Sequence, residues 1–127
     1  WRIGIEKPSL VMGQGLVSVL LLQDMGIATS GDYRNFRLSG GEKVSHIIDP
    51  RSGEPVKNGV ISVTVADKST MRADALATAF MVMGEEESIA FAEENDIPVF
   101  LIRKKSTGEV IERYTTAMIS LFLMDPD

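Results

Sequence analysis

The segment Ser69-Thr-Met-Arg-Ala-Asp-Ala-Leu-Ala-Thr-Ala-Phe-Met-Val-Met-Gly84 predicts the helix around which the rest of the chain is arranged. Apolar residues recur along it, which predicts that one side of the helix is buried against a sheet. The residues expected on that side are Ala75, Leu76, Ala79, Phe80 and Met83. Gly84 is the expected end of the helix, because glycine adopts the backbone conformation that follows a last helical turn.

Asp74 and Thr78 lie four residues apart on this predicted helix. Residues at that spacing share one face, so the carboxylate and the hydroxyl can point to the same place. Hard oxygen ligands in small number suit Mg²⁺, which keeps several waters and takes further ligands from a substrate phosphate. The alternative is an ordinary pair of surface residues, because Asp is favoured early in helices and Thr is common on helix surfaces. Spacing alone leaves both interpretations open.

Short extended segments and turns surround the helix. The predicted strands are residues 1–6, 16–23, 27–29, 35–38, 43–48, 61–66, 99–103 and 109–114. The early strands are expected to form an antiparallel meander, with a turn at Asp24-Met-Gly26. A second helix is predicted at 85–95, with Ile89, Ala90 and Ala92 near one face. Residues 117–124 are compatible with a strand, a helix or a swapped arm. The pattern predicts an α+β fold, in which two consecutive helices cover one face of a mostly antiparallel sheet.

Composition narrows the function classes. The 127 residues fit one domain, and 18 acidic against 13 basic residues give a net charge of -5. A nucleic-acid partner is therefore not expected, because such binding needs a basic surface. The absence of cysteine excludes disulfides and thiolate metal sites. The sequence opens inside an alternating strand pattern, so we expect it to be a fragment of a longer protein.

His46 is the single histidine and lies towards the end of the predicted strand 43–48, three residues before Asp49. Imidazole exchanges a proton near neutral pH, which makes His46 a candidate for acid/base catalysis. A half-buried histidine bonded to its neighbours is the alternative. The following segment, Asp49-Pro-Arg-Ser-Gly53, predicts a turn in which Asp49 accepts backbone N–H bonds and Gly53 takes the left-handed conformation.

The segment Thr29-Ser-Gly-Asp-Tyr33 is a second candidate for ligand binding. Gly31 beside hydroxyl groups such as that of Ser30 lets backbone N–H groups approach an anionic or flat ligand. Tyr33 can stack on a ring. The alternative is a strand junction that binds nothing.

Three segments occur in a fixed order: Ala28-Thr-Ser-Gly-Asp-Tyr-Arg-Asn-Phe36, then His46-Ile-Ile-Asp-Pro-Arg-Ser-Gly53, and then Val63-Thr-Val with Ala73-Asp-Ala-Leu-Ala-Thr78. Together they resemble the carboxy-terminal half of the ApbE family, whose members are FAD:protein FMN transferases, often named thiamine-biosynthesis lipoproteins. The resemblance extends to about residue 115.

The resemblance implies a Mg²⁺-dependent enzyme that splits FAD, attaches FMN to a threonine or serine of a partner flavoprotein, and releases AMP. Asp74 and Thr78 match the family's metal ligands, and His46 matches the histidine of its active site. Ile48 matches a position that lines the flavin site, where Ser30, Gly31 and Tyr33 are also expected to contact FAD.

The resemblance also implies that residues 1–127 are the carboxy-terminal part of a larger domain, whose amino-terminal half supplies FAD contacts and a further metal ligand. The fragment alone is then expected to be inactive and to self-associate through the exposed segments at its ends. The longer bacterial protein is expected to be lipid-anchored in the periplasm, or cytoplasmic. Two alternatives stay open: an FAD pyrophosphatase that produces FMN and AMP, and a non-catalytic interaction module.

Overall fold

A computed structural model of the chain describes residues 1–6, 16–31, 37–39, 42–44 and 47–122. The strands are β1 (Arg2–Glu6), β2 (Leu16–Leu21), β3 (Gly26–Gly31), β4 (Arg37–Ser39), β5 (Glu42–Val44), β6 (Val60–Asp67), β7 (Val99–Lys104) and β8 (Val110–Tyr114). The helices are α1 (Thr70–Met83), α2 (Glu85–Glu94) and α3 (Thr116–Ile119). None of the described helices is long and apolar enough to cross a membrane.

The central sheet has the strand order β3-β6-β7-β8, and every neighbouring pair is antiparallel. Strand β6 lies inside this sheet because its β-branched residues are buried on both faces. The pairs β1–β2 and β4–β5 form separate two-stranded sheets. The expected meander of the early strands is only partly correct: β1–β2 and β4–β5 are antiparallel pairs of consecutive strands, but β3 pairs with β6 and not with its neighbours in sequence.

Helices α1 and α2 cover one face of the central sheet, as expected for the α+β fold. Their core includes Phe80, Val63, Val65 and Leu101. A second core on the other face joins the sheet to β1–β2 and to residues 118–122; its buried members are Ile5, Leu20, Leu22, Ala66, Phe100, Ile102 and Met118. Within the segment 117–124, left open by the sequence, residues 117–119 lie in α3 and Phe122 forms an isolated bridge with Leu20, while 123 and 124 lie outside the described residues.

Helix α1 begins and ends at the predicted places. The Ser69 hydroxyl accepts a hydrogen bond from the backbone N–H of Arg72 at 3.2 Å, which caps the first turn. Gly84 has φ +87° and donates its N–H to the Phe80 carbonyl at 3.1 Å, so its predicted role is confirmed.

The predicted buried side of α1 is only partly correct. Phe80 is buried and Leu76 and Met83 are half-buried, but Ala75 and Ala79 are exposed. The helix residues that are fully buried are Ala73, Ala77, Phe80 and Met81. The apolar residues of this helix are distributed over nearly all of its sides, so their spacing does not determine which side faces the sheet. In α2 the expected Ala90 is likewise exposed, and Ser88 is buried in its place, with its hydroxyl donating to the Phe80 carbonyl at 3.0 Å.

Gly26 begins strand β3 and is not the turn residue that the sequence predicted. The positive φ of this turn belongs to Asp24, at +56°. Gly26 serves a close approach instead: a Cβ atom there would lie 2.0 Å from Thr70 Oγ1 and 2.9 Å from Thr70 Cα. The missing side chain therefore lets the start of α1 pack directly on β3.

Candidate functional site

An open cleft of about 530 Å³ lies where β3, the segment after β5 and α1 meet. Its lining residues are Thr29, Ser30, Gly31, Ile47, Ile48 and Thr78. Four of the predicted site residues, Ser30, Gly31, Ile48 and Thr78, therefore come together from segments that are far apart in the sequence. The volume is within the range of small-molecule sites in proteins.

The packing of α1 on β3 places Thr78 against Ser30. The Ser30 hydroxyl oxygen lies 3.1 Å from Thr78 Oγ1, within hydrogen-bond distance. The preceding residue, Thr29, bonds instead to the Thr64 hydroxyl on β6, at 2.8 Å. These two contacts hold β3 between β6 and α1, so the Thr78 hydroxyl has a fixed neighbour in the cleft.

Asp74 lies one turn before Thr78 on α1, and its side chain is exposed. Its carboxylate makes no hydrogen bond or ion pair with any residue that the structure describes. Within those residues, no three His, Cys, Asp or Glu side chains are grouped so that they could hold a metal ion by themselves. One free carboxylate and one hydroxyl fit Mg²⁺, which needs few protein ligands when a substrate phosphate and waters supply the others.

The turn from Asp49 to Gly53 follows the cleft residue Ile48 in the sequence and has the predicted internal bonds. Asp49 Oδ1 accepts the backbone N–H of Arg51 at 2.8 Å, and Gly53 has φ +71°. The guanidinium of Arg51 donates to both oxygens of the Asp49 carboxylate, at 3.2 and 3.1 Å. These hydrogen bonds, first the side-chain bond from Arg51 and then its backbone N–H, hold the pKa of Asp49 below its ordinary value.

This turn contacts both α1 and the segment that follows the turn, and these contacts position Ile48. Arg51 also reaches the Val82 carbonyl in the last turn of α1, at 3.5 Å. Ile48 pairs with Pro55 in an isolated bridge, so it does not continue the strand predicted over 43–48, which ends at Val44. Its side chain is 50% exposed and offers an apolar surface beside the cleft.

Two predicted site residues, His46 and Tyr33, lie outside the described residues. Thr29 and Ile47 line the cleft and were not singled out from the sequence. Each is adjacent to a predicted residue in one of the quoted segments, and only this adjacency in the sequence could have identified it as a site residue. The hydrogen bond between Ser30 and Thr78 was also missed, because it joins residues 48 positions apart.

Comparisons with known proteins agree with the resemblance of these segments. The sequence profile of the ApbE family matches residues 1–101. The FAD:protein FMN transferase of Vibrio cholerae is 50% identical over 123 residues, covering 97% of this chain and 36% of that protein. The FAD:protein FMN transferase of Haemophilus influenzae is 38% identical over 110 residues, covering 87% of this chain and 32% of that protein.

Solved structures give the same result. The flavinyl transferase ApbE of Pseudomonas stutzeri, in its apo form, superposes with a TM-score of 0.78 at 43% identity, covering 96% of this chain and 36% of that one. The flavin transferase ApbE of Vibrio cholerae gives a TM-score of 0.77 at 48% identity, covering 95% and 37%. The chain thus spans about a third of the length of the relatives it matches. Because the family match covers most of the chain, and relatives share its sequence and its fold, this chain belongs to the ApbE family.

Proposed function

We propose that the full-length protein transfers FMN from FAD to a threonine or serine hydroxyl of a partner flavoprotein, with Mg²⁺, and releases AMP. The observation that carries the proposal is the cleft, which is lined by Ser30, Gly31, Ile48 and Thr78. Thr78 lies on α1, the helix that also bears Asp74. The names of the relatives supply the reaction class, since they are flavin transferases that act from FAD to a protein.

The residues of this chain divide the task by their chemistry. Ile48 offers apolar surface for a flavin ring, and Gly31 lets backbone approach it without a side chain between them. Asp74 and Thr78 would hold Mg²⁺, which neutralises charge on the phosphates of FAD when it is bound. Ser30 contacts the Thr78 hydroxyl and keeps it in place.

In the transfer, the acceptor hydroxyl oxygen forms a bond to the phosphorus of the FMN moiety. The bond from that phosphorus to the bridging oxygen of the diphosphate breaks, and the bridging oxygen leaves with AMP. The proton of the acceptor hydroxyl must be taken up by a base. In this proposal the base is His46, because imidazole accepts protons near neutral pH.

The metal assignment is tested by AMP release from FAD, measured against Mg²⁺ concentration in the full-length protein. Asp74→Ala is expected to abolish Mg²⁺-dependent release, and Thr78→Ala to weaken it less, because a neutral hydroxyl holds a cation less strongly than a carboxylate does. Glu94→Ala, which removes an exposed carboxylate from α2, is the matched control. An Asp74→Ala variant with the wild-type Mg²⁺ dependence would remove Asp74 from the site.

The same assay separates transfer from hydrolysis when the acceptor protein is present. Transfer adds the mass of FMN to the acceptor for each AMP released. Release of AMP without any gain in acceptor mass would contradict transfer and assign the protein as an FAD pyrophosphatase.

The role proposed for His46 predicts a pH effect. His46→Asn is expected to lower FMN transfer by roughly 10²- to 10⁴-fold, with FAD affinity nearly unchanged. The plot of transfer rate against pH is also expected to lose the change in rate that titration of a histidine causes at pH about 6 to 7. A histidine that only supports the fold gives a lower melting temperature with the pH profile kept in shape, so melting curves are recorded with the rates. A stable variant with wild-type rates would exclude His46 from the mechanism.

A further inference from the structure

A second cleft, of about 450 Å³, lies where β6 begins and β7 ends. Its lining residues are Lys57, Asn58, Gly59, Ile61, Arg103, Lys104, Lys105 and Ser106. Four of the 13 basic residues of a chain with net charge -5 thus line one concave surface, and its lining includes no acidic residue. The first cleft is lined by uncharged residues and shares none of them.

The backbone around this basic cleft is held by contacts that need no ligand. Asn58 Nδ2 donates to the Met81 carbonyl at 2.8 Å, and Asn58 Oδ1 accepts the Val60 N–H at 3.1 Å. The Lys104 N–H donates to the Gly59 carbonyl at 2.9 Å. Gly59 has φ +81°, and a Cβ atom there would lie 2.9 Å from the Lys104 carbonyl oxygen. Only glycine therefore lets these two segments come this close.

The positive charges of the basic cleft are unequally neutralised. Arg103 is paired with the nearly buried Glu85 of α2. Among the described residues, Lys105 pairs with the exposed Glu109 at 3.3 Å, and exposed pairs of this kind are weak. The ammonium groups of Lys57 and Lys104 make no hydrogen bond or ion pair with any described residue.

We propose that this basic cleft binds a phosphate-type anion, either a free diphosphate or the diphosphate of a nucleotide. Lysine ammonium groups are compact charges that bind phosphate oxygens, and the Ser106 hydroxyl adds a further donor. Positive groups that line one concave surface concentrate anions more than isolated surface lysines do. The proposal is independent of the flavin transfer, because none of the residues assigned to transfer lines this cleft.

Titration with inorganic pyrophosphate, followed by NMR of the ¹⁵N-labelled protein without Mg²⁺ and at constant ionic strength, tests the site directly. Saturable shifts are expected in the amides of residues 57–61 and 103–106. They should weaken as NaCl is raised, since charge attraction is screened by salt. Shifts that grow without saturation, or that centre on residues 29–31 and 47–48, would overturn the proposal. This mapping uses the unaltered protein, so it does not depend on the stability of a variant.

Substitutions then identify the charges responsible. Lys57→Ala with Lys104→Ala is expected to weaken pyrophosphate binding at least tenfold, and Lys68→Ala, which removes an exposed lysine elsewhere, to leave it unchanged. Equal loss in the control would show a general charge effect and not a site.

ADP is the second probe: affinity equal to that of pyrophosphate assigns the site to the diphosphate alone, and tighter binding assigns it to a nucleotide. Asp74→Ala should leave binding intact, so failure of the transfer proposal and failure of this one are distinguishable.

Discussion

The contact between Ser30 and Thr78 shows what a single residue contributes to the candidate site. Thr78 offers one neutral oxygen, and the direction of its lone pairs depends on the rotation of the hydroxyl group. Ser30 Oγ lies 3.1 Å away and gives that hydroxyl a fixed partner. The spacing of Asp74 and Thr78 was readable from the sequence, because i and i+4 positions share a helix face. The partnership with Ser30 was not readable, because it depends on how α1 packs on β3.

Ser30→Ala is therefore expected to raise the Mg²⁺ concentration that gives half-maximal AMP release by roughly 2- to 12-fold, the equivalent of one hydrogen bond of about 0.5 to 1.5 kcal/mol. Ser120→Ala, which removes another exposed serine hydroxyl, is the control and should leave this concentration unchanged. Ser30→Ala should lower the melting temperature only as far as the loss of one hydrogen bond does, so the Mg²⁺ response is measured well below the melting temperature of either variant. An unchanged Mg²⁺ response in Ser30→Ala would show that Ser30 does not position Thr78.

Elements with a strong local pattern were predicted well, and the pairing of strands far apart in the sequence was not. Strand β6 was expected over 61–66 from its β-branched residues and spans Val60–Asp67. The end of α1 was fixed by Gly84. The pairing of β3 with β6 joins segments separated by about thirty residues, so no local pattern marks it. The buried side of α1 was predicted only in part, because the helix is apolar nearly all round.

The turn at Asp49 was predicted in detail, and it leads to a pH prediction. The pKa of Asp49 lies below its ordinary value of 3.8 in the folded protein, chiefly because of the side-chain hydrogen bond from Arg51. The stabilisation is therefore fully present above pH 3.8 and is lost as the pH falls through the lower, folded-state pKa. Asp49→Asn should lower the melting temperature near neutral pH, and this difference should shrink below pH 3.8.

Arg51→Gln is the matched variant for the Asp49 turn, because it removes the other half of the same ion pair. It should show a similar loss near neutral pH, and in acid it should approach the wild type except for the contribution of the Arg51 contact with the Val82 carbonyl, which does not titrate. The effect is expected to be small, since the pair is exposed. A melting-temperature difference that stays constant from neutral pH down to pH about 2 would contradict the role of the ionised carboxylate.

At the scale of the whole molecule, the two cores are joined through the strands of the central sheet. Successive residues of a strand point to opposite faces, so β7 sends Val99 and Leu101 to the core under the helices, and Phe100 and Ile102 to the core under β1–β2. Loss of packing in one core therefore disturbs a strand that the other core needs. We expect the two layers to unfold together, as small domains usually do.

Phe100→Ala tests this coupling. The ring of Phe100 is 1% exposed, stacks on Tyr114 with centroids 6.1 Å apart, and meets Phe122 edge-on at 6.2 Å. Its removal leaves a cavity and should lower the free energy of unfolding by about 3 to 5 kcal/mol in chemical denaturation. Met71→Ala, which truncates a side chain that is 82% exposed on α1, is the control and should cost less than about 0.5 kcal/mol. Hydrogen exchange then distinguishes unfolding of the two layers together from unfolding of each layer separately. If the layers unfold together, Phe100→Ala lowers amide protection in α1 and in β2 by the same factor. Protection that falls in β2 and persists in α1 would show that the layers unfold separately.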